Sequence, residues 1–90
     1  MRNRKTTTDH AEIQRWTEVR NGRPAQTKKS WTNETDFLKI NFSKMPGEDD
    51  LKEIPWDQFF EQFEERELEF VYENLTADGK VSRFYKFIKI

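Results

Sequence analysis

The stretch Trp56-Asp57-Gln58-Phe59-Phe60-Glu61-Gln62-Phe63-Glu64-Glu65-Arg66-Glu67-Leu68-Glu69-Phe70-Val71-Tyr72-Glu73-Asn74 changes its apolar period in the middle. Trp56, Phe59, Phe60 and Phe63 fall on one helix face and leave Glu61, Glu64, Glu65 and Arg66 for water. From Leu68 the period drops to two. Leu68, Phe70 and Tyr72 share one face, and Glu69, Val71 and Glu73 the other. Asp78-Gly79 then supplies a hairpin turn, and a further strand runs from Lys80 to Ile90. Both faces of that last strand are partly apolar. Phe84, Ile88 and Ile90 line one side; Val81, Tyr85 and Phe87 line the other. Upstream, Pro55 suits the first turn of a helix. Ile54 and Phe59 flank it at the spacing of a hydrophobic staple.

The first half repeats this plan. Asp9 can cap a helix, with Glu12 three residues on, and Ile13, Trp16 and Val19 or Arg20 follow at helical spacing. Asn21-Gly22 offers a left-handed stop, and Pro24 prevents continuation. A weak strand from Ala25 to Trp31 carries Lys28 and Lys29, which suit a sheet edge. A clearer one, Phe37 to Phe42, alternates Leu38, Ile40 and Phe42 with Lys39 and Asn41. Residues 43–53 connect the halves through Pro46-Gly47 and the acidic run Glu48-Asp49-Asp50. At an offset of 47, Ile13 matches Phe60, Trp16 matches Phe63, Leu38 matches Tyr85 and Ile40 matches Phe87. The expected domain spans residues 9–90 and consists of two αββ units, 9–42 and 55–90. It is α+β and two-layered, of order αββαββ. It has a four-stranded antiparallel sheet with both helices on one face; the two hairpins can join through the last strand or through the strand Phe37 to Phe42, and the last strand, apolar in part on both faces, is the better central candidate. Residues 1–8 are expected to be a flexible basic arm, because nothing large and apolar follows Met1.

Composition narrows the class. Ninety residues make one domain with a thin core, and eight Phe, three Trp and two Tyr supply most of it. The absence of Cys fits a reducing cytoplasm. No apolar run approaches the roughly 20 residues of a membrane span. The net charge of −1 conceals a split. Residues 1–47 carry ten Lys/Arg against five Asp/Glu, and residues 48–90 carry six against twelve.

No catalytic constellation emerges. His10 is the single histidine, with no Cys beside it to complete a metal site. The acidic run lacks the alternating twelve-residue spacing of a calcium loop. Three Gly residues do not make a phosphate cradle. The sequence therefore reads as a non-enzyme without cofactor or metal. The favoured function is a protein-interaction module that binds a partner or itself. One face of the sheet is left open by the helices, and Phe84, Tyr85 and Phe87 are the candidate interface. The competing reading is nucleic-acid binding by Arg4, Lys5, Arg23, Lys28 and Lys29, with Arg2 in support and Trp31 as a stacking platform.

Lys5-Thr6-Thr7-Thr8-Asp9-His10, Ile13, Trp16, Gly22-Arg23-Pro24-Ala25, Leu38-Lys39-Ile40-Asn41-Phe42, Gly47-Glu48-Asp49, Ile54-Pro55-Trp56-Asp57-Gln58-Phe59-Phe60 and Ser82-Arg83-Phe84 together resemble a small uncharacterised bacterial protein family. The likeness covers nearly the whole chain, and its motifs are structural. Pro55 stands where Ser is frequent in that family, which removes a side-chain cap. Proteins similar to these are sometimes labelled 1,4-alpha-glucan branching enzyme. That chemistry needs a (β/α)8 barrel of about 250 residues with carboxylates at its strand ends. This chain does not build one, so the label is not carried over.

Overall fold

A computed structural model describes residues 4–27, 35–42 and 51–90. The order is β1 (Arg4–Thr7), α1 (His10–Glu18), β2 (Arg23–Thr27), β3 (Leu38–Asn41), β4 (Leu51–Glu53), α2 (Trp56–Glu65), β5 (Leu68–Glu73) and β6 (Tyr85–Lys89). The chain is α+β, but among the described residues its strands form two antiparallel three-stranded sheets, β1-β5-β6 and β3-β2-β4, in place of the expected single sheet of four. Each unit is βαββ, and the two units exchange their first strands. The β5-β6 hairpin of the second half takes β1 from the first half as its third strand. The β2-β3 hairpin of the first half takes β4 from the second.

This exchange explains the corrections. Residues Arg4–Thr7 are not a free arm: they pair in register with β5, Arg4 opposite Glu73 through Thr7 opposite Phe70. With both free hairpin edges taken by exchanged strands, β5 and β2 become central. The last strand, β6, is therefore an edge. The repeat itself is clearer than the sequence suggested. Arg4 and Leu51 open their strands 47 residues apart, as do Leu38 and Tyr85. Asn21 and Glu67 adopt positive φ of 59° and 54° at the two helix-to-strand turns.

Local chemistry sets the helix ends. Asp9 caps α1 by accepting from the Ala11 amide at 3.0 Å. Glu12 does not close the reciprocal capping box. The Thr7 hydroxyl accepts from the Asp9 amide at 3.0 Å and donates to Glu12 at 3.2 Å, while the Tyr72 hydroxyl also donates to Glu12. The cap thereby ties α1 to β1 and β5. Helix α2 starts at Pro55 without a side-chain cap, and Ile54 and Phe59 are both buried at its entry. At the end of α1, Asn21 takes the left-handed turn. Gly22 serves close approach: a Cβ there would stand 2.9 Å from Ile40, Phe42 and Thr17 side-chain carbons.

One core joins all the layers. Ile13 and Trp16 of α1 and Phe59, Phe60 and Phe63 of α2 pack with Leu38, Ile40, Leu68, Phe70, Tyr72 and Phe87. Each fully buried Phe contributes about 1.5–3 kcal/mol by leaving water. All four residue pairs matched at the offset of 47 lie in or against this core.

Candidate functional site

The register of β5 and β6 decides which residues face outward. Phe70 opposes Phe87 and Tyr72 opposes Tyr85, and these four face the helices. Val71 opposes Lys86 and Glu69 opposes Ile88, so these four face away. Glu73 bonds the carbonyl of Phe84 and continues the outward row, while Leu75 bridges Val81 toward the hairpin tip. On β1, Arg4 and Thr6 oppose Glu73 and Val71 and share that face. None of these outward residues joins the core cluster. Among the described residues no helix covers this face, but Val71 and Glu73 at its centre are only 7% and 8% exposed, so its accessible apolar groups lie along β6 and the hairpin. Phe84 and Ile88 are half-buried, and Leu75, Val81 and Ile90 are 44%, 64% and 67% exposed.

Of the three expected interface residues, the structure leaves only Phe84 on this face. Phe87 is 6% exposed and lies in the core. Tyr85 packs against the core, and its hydroxyl meets the Ile40 backbone. Burial raises the Tyr85 phenol pKa, and the bond to Ile40 lowers it in part. Of the outward residues missed as interface candidates, Ile88 and Ile90 were legible as the alternate set to Tyr85 and Phe87, whereas alternation grouped Val81 with Tyr85 and Phe87, and Leu75 lies outside that strand. Sequence alone did not say which set the helices cover.

The charged groups on the face are balanced. Arg4 Nε lies 3.1 Å from a Glu73 carboxylate oxygen, and its guanidinium sits 4.4 Å above the Phe84 ring. Lys86 is exposed and Glu69 half-buried.

Among the described residues the nucleic-acid candidates are not gathered. Arg4 and Lys5 belong to one sheet and Arg23 to the other. Arg4 already has a carboxylate. Arg23 lines an open groove of about 420 Å³ together with Glu18, Glu53, Pro24, Pro55 and Trp56, so two carboxylates share its surroundings. Arg2, Lys28, Lys29 and Trp31 lie outside the described residues, as does the acidic run Glu48-Asp49-Asp50.

Two further polar clusters bind the fold together. Arg20, 7% exposed, donates to the carbonyls of Ser82 at 2.5 Å, Trp16 at 3.0 Å and Asn74 at 3.0 Å, and stacks 4.3 Å over Trp16. Burial and the nearby Arg83 cation lower its pKa. Trp16 Nε1 donates to the Glu73 carbonyl at 3.0 Å. Tyr72 is pushed up to about 12, first by burial and then by its bond to the Glu12 carboxylate. His10 stacks 4.0 Å from Phe60 and 3.5 Å from Glu64, which makes it a helix-to-helix contact. Among the described residues, no group of three or more His, Cys, Asp or Glu side chains could hold a metal ion. Among them, no helix is long and apolar enough to cross a membrane. Comparisons with protein-family models, curated proteins and solved structures find no match.

Proposed function

We propose that this chain is a non-enzymatic protein-interaction module, cytoplasmic in location, whose binding surface is the outer face of the β1-β5-β6 sheet. The observation that carries the reading is the exposed apolar row of Leu75, Val81 and Ile90 beside Phe84 and Ile88, on a face that no helix residue of the core packs against. Contiguous exposed apolar surface with a polar rim marks protein interfaces. Balanced charge around the row suits a protein partner better than a polyanion, which requires clustered positive charge. Nucleic-acid binding is the weaker reading, since Arg4 is paired and Arg23 shares its groove with Glu18 and Glu53.

The test is affinity capture from cell extract with the full chain and with Ile88→Glu, each carrying a tag that distinguishes it from untagged copies. Circular dichroism first establishes that the variant is folded. The reading expects proteins, or further copies of the chain, to be retained by the unaltered chain and lost by the variant. Identical capture by both would reject the face as the binding surface. Binding to single-stranded DNA or RNA that weakens as salt rises would favour the competing reading.

A further inference from the structure

We infer that the occupant of the outer face is a second copy of this chain, placed by a two-fold axis that lies in the plane of contact along the Val71–Ile88 diagonal. The inference rests on the interaction reading above and names its partner. The register places Glu69 beside Ile88 and Val71 beside Lys86, so these four side chains form the corners of one quadrilateral on the outer face. One diagonal, Val71–Ile88, is apolar, with Val71 7% exposed among its neighbours and Ile88 half-buried at the surface. The other, Glu69–Lys86, carries opposite charges. Among the described residues neither Glu69 nor Lys86 has an ion-pair partner, whereas Arg4 and Glu73 on the same face neutralise each other.

An isologous contact requires a surface complementary to itself, in which residue i meets residue j and residue j meets residue i. A two-fold axis along the apolar diagonal returns that diagonal to itself. Ile88 then meets its own copy over the buried Val71. The same axis exchanges the ends of the charged diagonal. Glu69 therefore lies over the second copy's Lys86 and Lys86 over its Glu69, giving two ion pairs from one surface. An axis along the charged diagonal would instead set Glu69 on Glu69 and Lys86 on Lys86, which repel. Face-to-face sheets pack about 10 Å apart, a separation that these side chains can bridge. Phe84 and Ile90 extend the apolar row on either side of the quadrilateral along β6.

Sedimentation velocity of the full chain over a wide concentration range tests this. The unaltered chain is expected to show a reversible monomer–dimer equilibrium. Glu69→Lys and Lys86→Glu should each raise the dissociation constant by about tenfold or more, equivalent to ~1.4 kcal/mol. The double variant, Glu69→Lys with Lys86→Glu, should return to within about threefold of the original, because neighbouring charges couple. Ile88→Glu should abolish the dimer. A chain that stays monomeric throughout overturns the inference. So does a dimer indifferent to all these changes, or single-variant losses that the double variant does not rescue. A monomeric chain that still captures a partner through an Ile88-dependent contact removes the second copy and leaves the interaction reading standing. Loss of both removes both.

Discussion

The Tyr85 hydroxyl lies 3.1 Å from the Ile40 amide nitrogen and 3.3 Å from the Ile40 carbonyl oxygen. Tyr85 belongs to one sheet and Ile40 to the outer edge of the other. An edge strand leaves alternate backbone groups without ladder partners, and burying them unpaired is costly. One phenol accepts from the N–H and donates to the C=O. It thus joins the two sheets at a place where no strand-to-strand ladder exists. Replacing Tyr85 with Phe keeps the ring in the core and removes only this link. The expected cost is about 1–3 kcal/mol, read as a lower urea midpoint with an unchanged slope. An unchanged midpoint would mean that water or backbone adjustment satisfies Ile40 equally well.

Arg20 supports the base of the β5-β6 hairpin. Its three backbone acceptors come from α1 and from both arms of the hairpin. Arg20→Leu should destabilise the domain by about 1–3 kcal/mol, since it removes the side-chain donor from the Ser82 and Trp16 carbonyls, while the Asn74 carbonyl keeps the Ser82 amide. Arg20→Lys should rescue little, because an ammonium cannot reproduce the planar fork or its stacking on Trp16. Hydrogen exchange at the hairpin amides, Ser82 in particular, should rise in both variants ahead of global unfolding.

Removal of residues 1–7 distinguishes a strand from an arm. It deletes the ladder on β5, the Arg4–Glu73 pair and the Thr7 hydroxyl that serves the α1 cap. The Arg4 side chain is 40% exposed but that of Glu73 only 10%, so the loss of Arg4 also leaves a mostly buried carboxylate without its partner. Loss of the strand and its hydroxyl should lower Tm by several degrees, because 1 kcal/mol is worth about 4–8 °C in a domain of this size. A truncated chain that melts like the full one would restore the free-arm picture.

Alkaline pH should weaken the fold through Tyr72. Its folded-state pKa stands at about 12, above the ordinary value of 10. Between these two pH values the unfolded chain releases the phenolic proton while the folded chain keeps it. The folded state then binds more protons, so stability present below pH 10 is lost as pH rises toward 12. Tyr85, also raised, acts in the same direction. Tyr72→Phe should flatten the fall of Tm across this window. An equal slope in the variant would assign the alkaline transition to other groups.

Much of this architecture was legible because side-chain periodicity is a local signal. Phe59, Phe60 and Phe63 announce a helix, and Leu68, Phe70 and Tyr72 a strand, whatever lies elsewhere in the chain. Asp9, Asn21 and the Asp78-Gly79 turn are equally local, and all stand where the sequence placed them. The exchanged strands were not legible. Arg4–Thr7 and Leu51–Glu53 are short and mostly polar, and an edge strand needs no apolar alternation. Their identity lies in pairing with residues far along the chain, as Arg4 with Glu73.

The candidate interface divides along the same line. Sequence alone determined that β6 has two apolar faces, because alternation can be counted residue by residue. Only the tertiary structure decided that Tyr85 and Phe87 turn inward while Phe84, Ile88 and Ile90 stay outside. Either set could have met the helices. Register with β5 broke the tie, since Phe70 and Tyr72 must join Trp16, Phe59 and Phe63 in the core and directly opposed residues share a face. A period of two specifies that faces differ; burial of one against its neighbours specifies which.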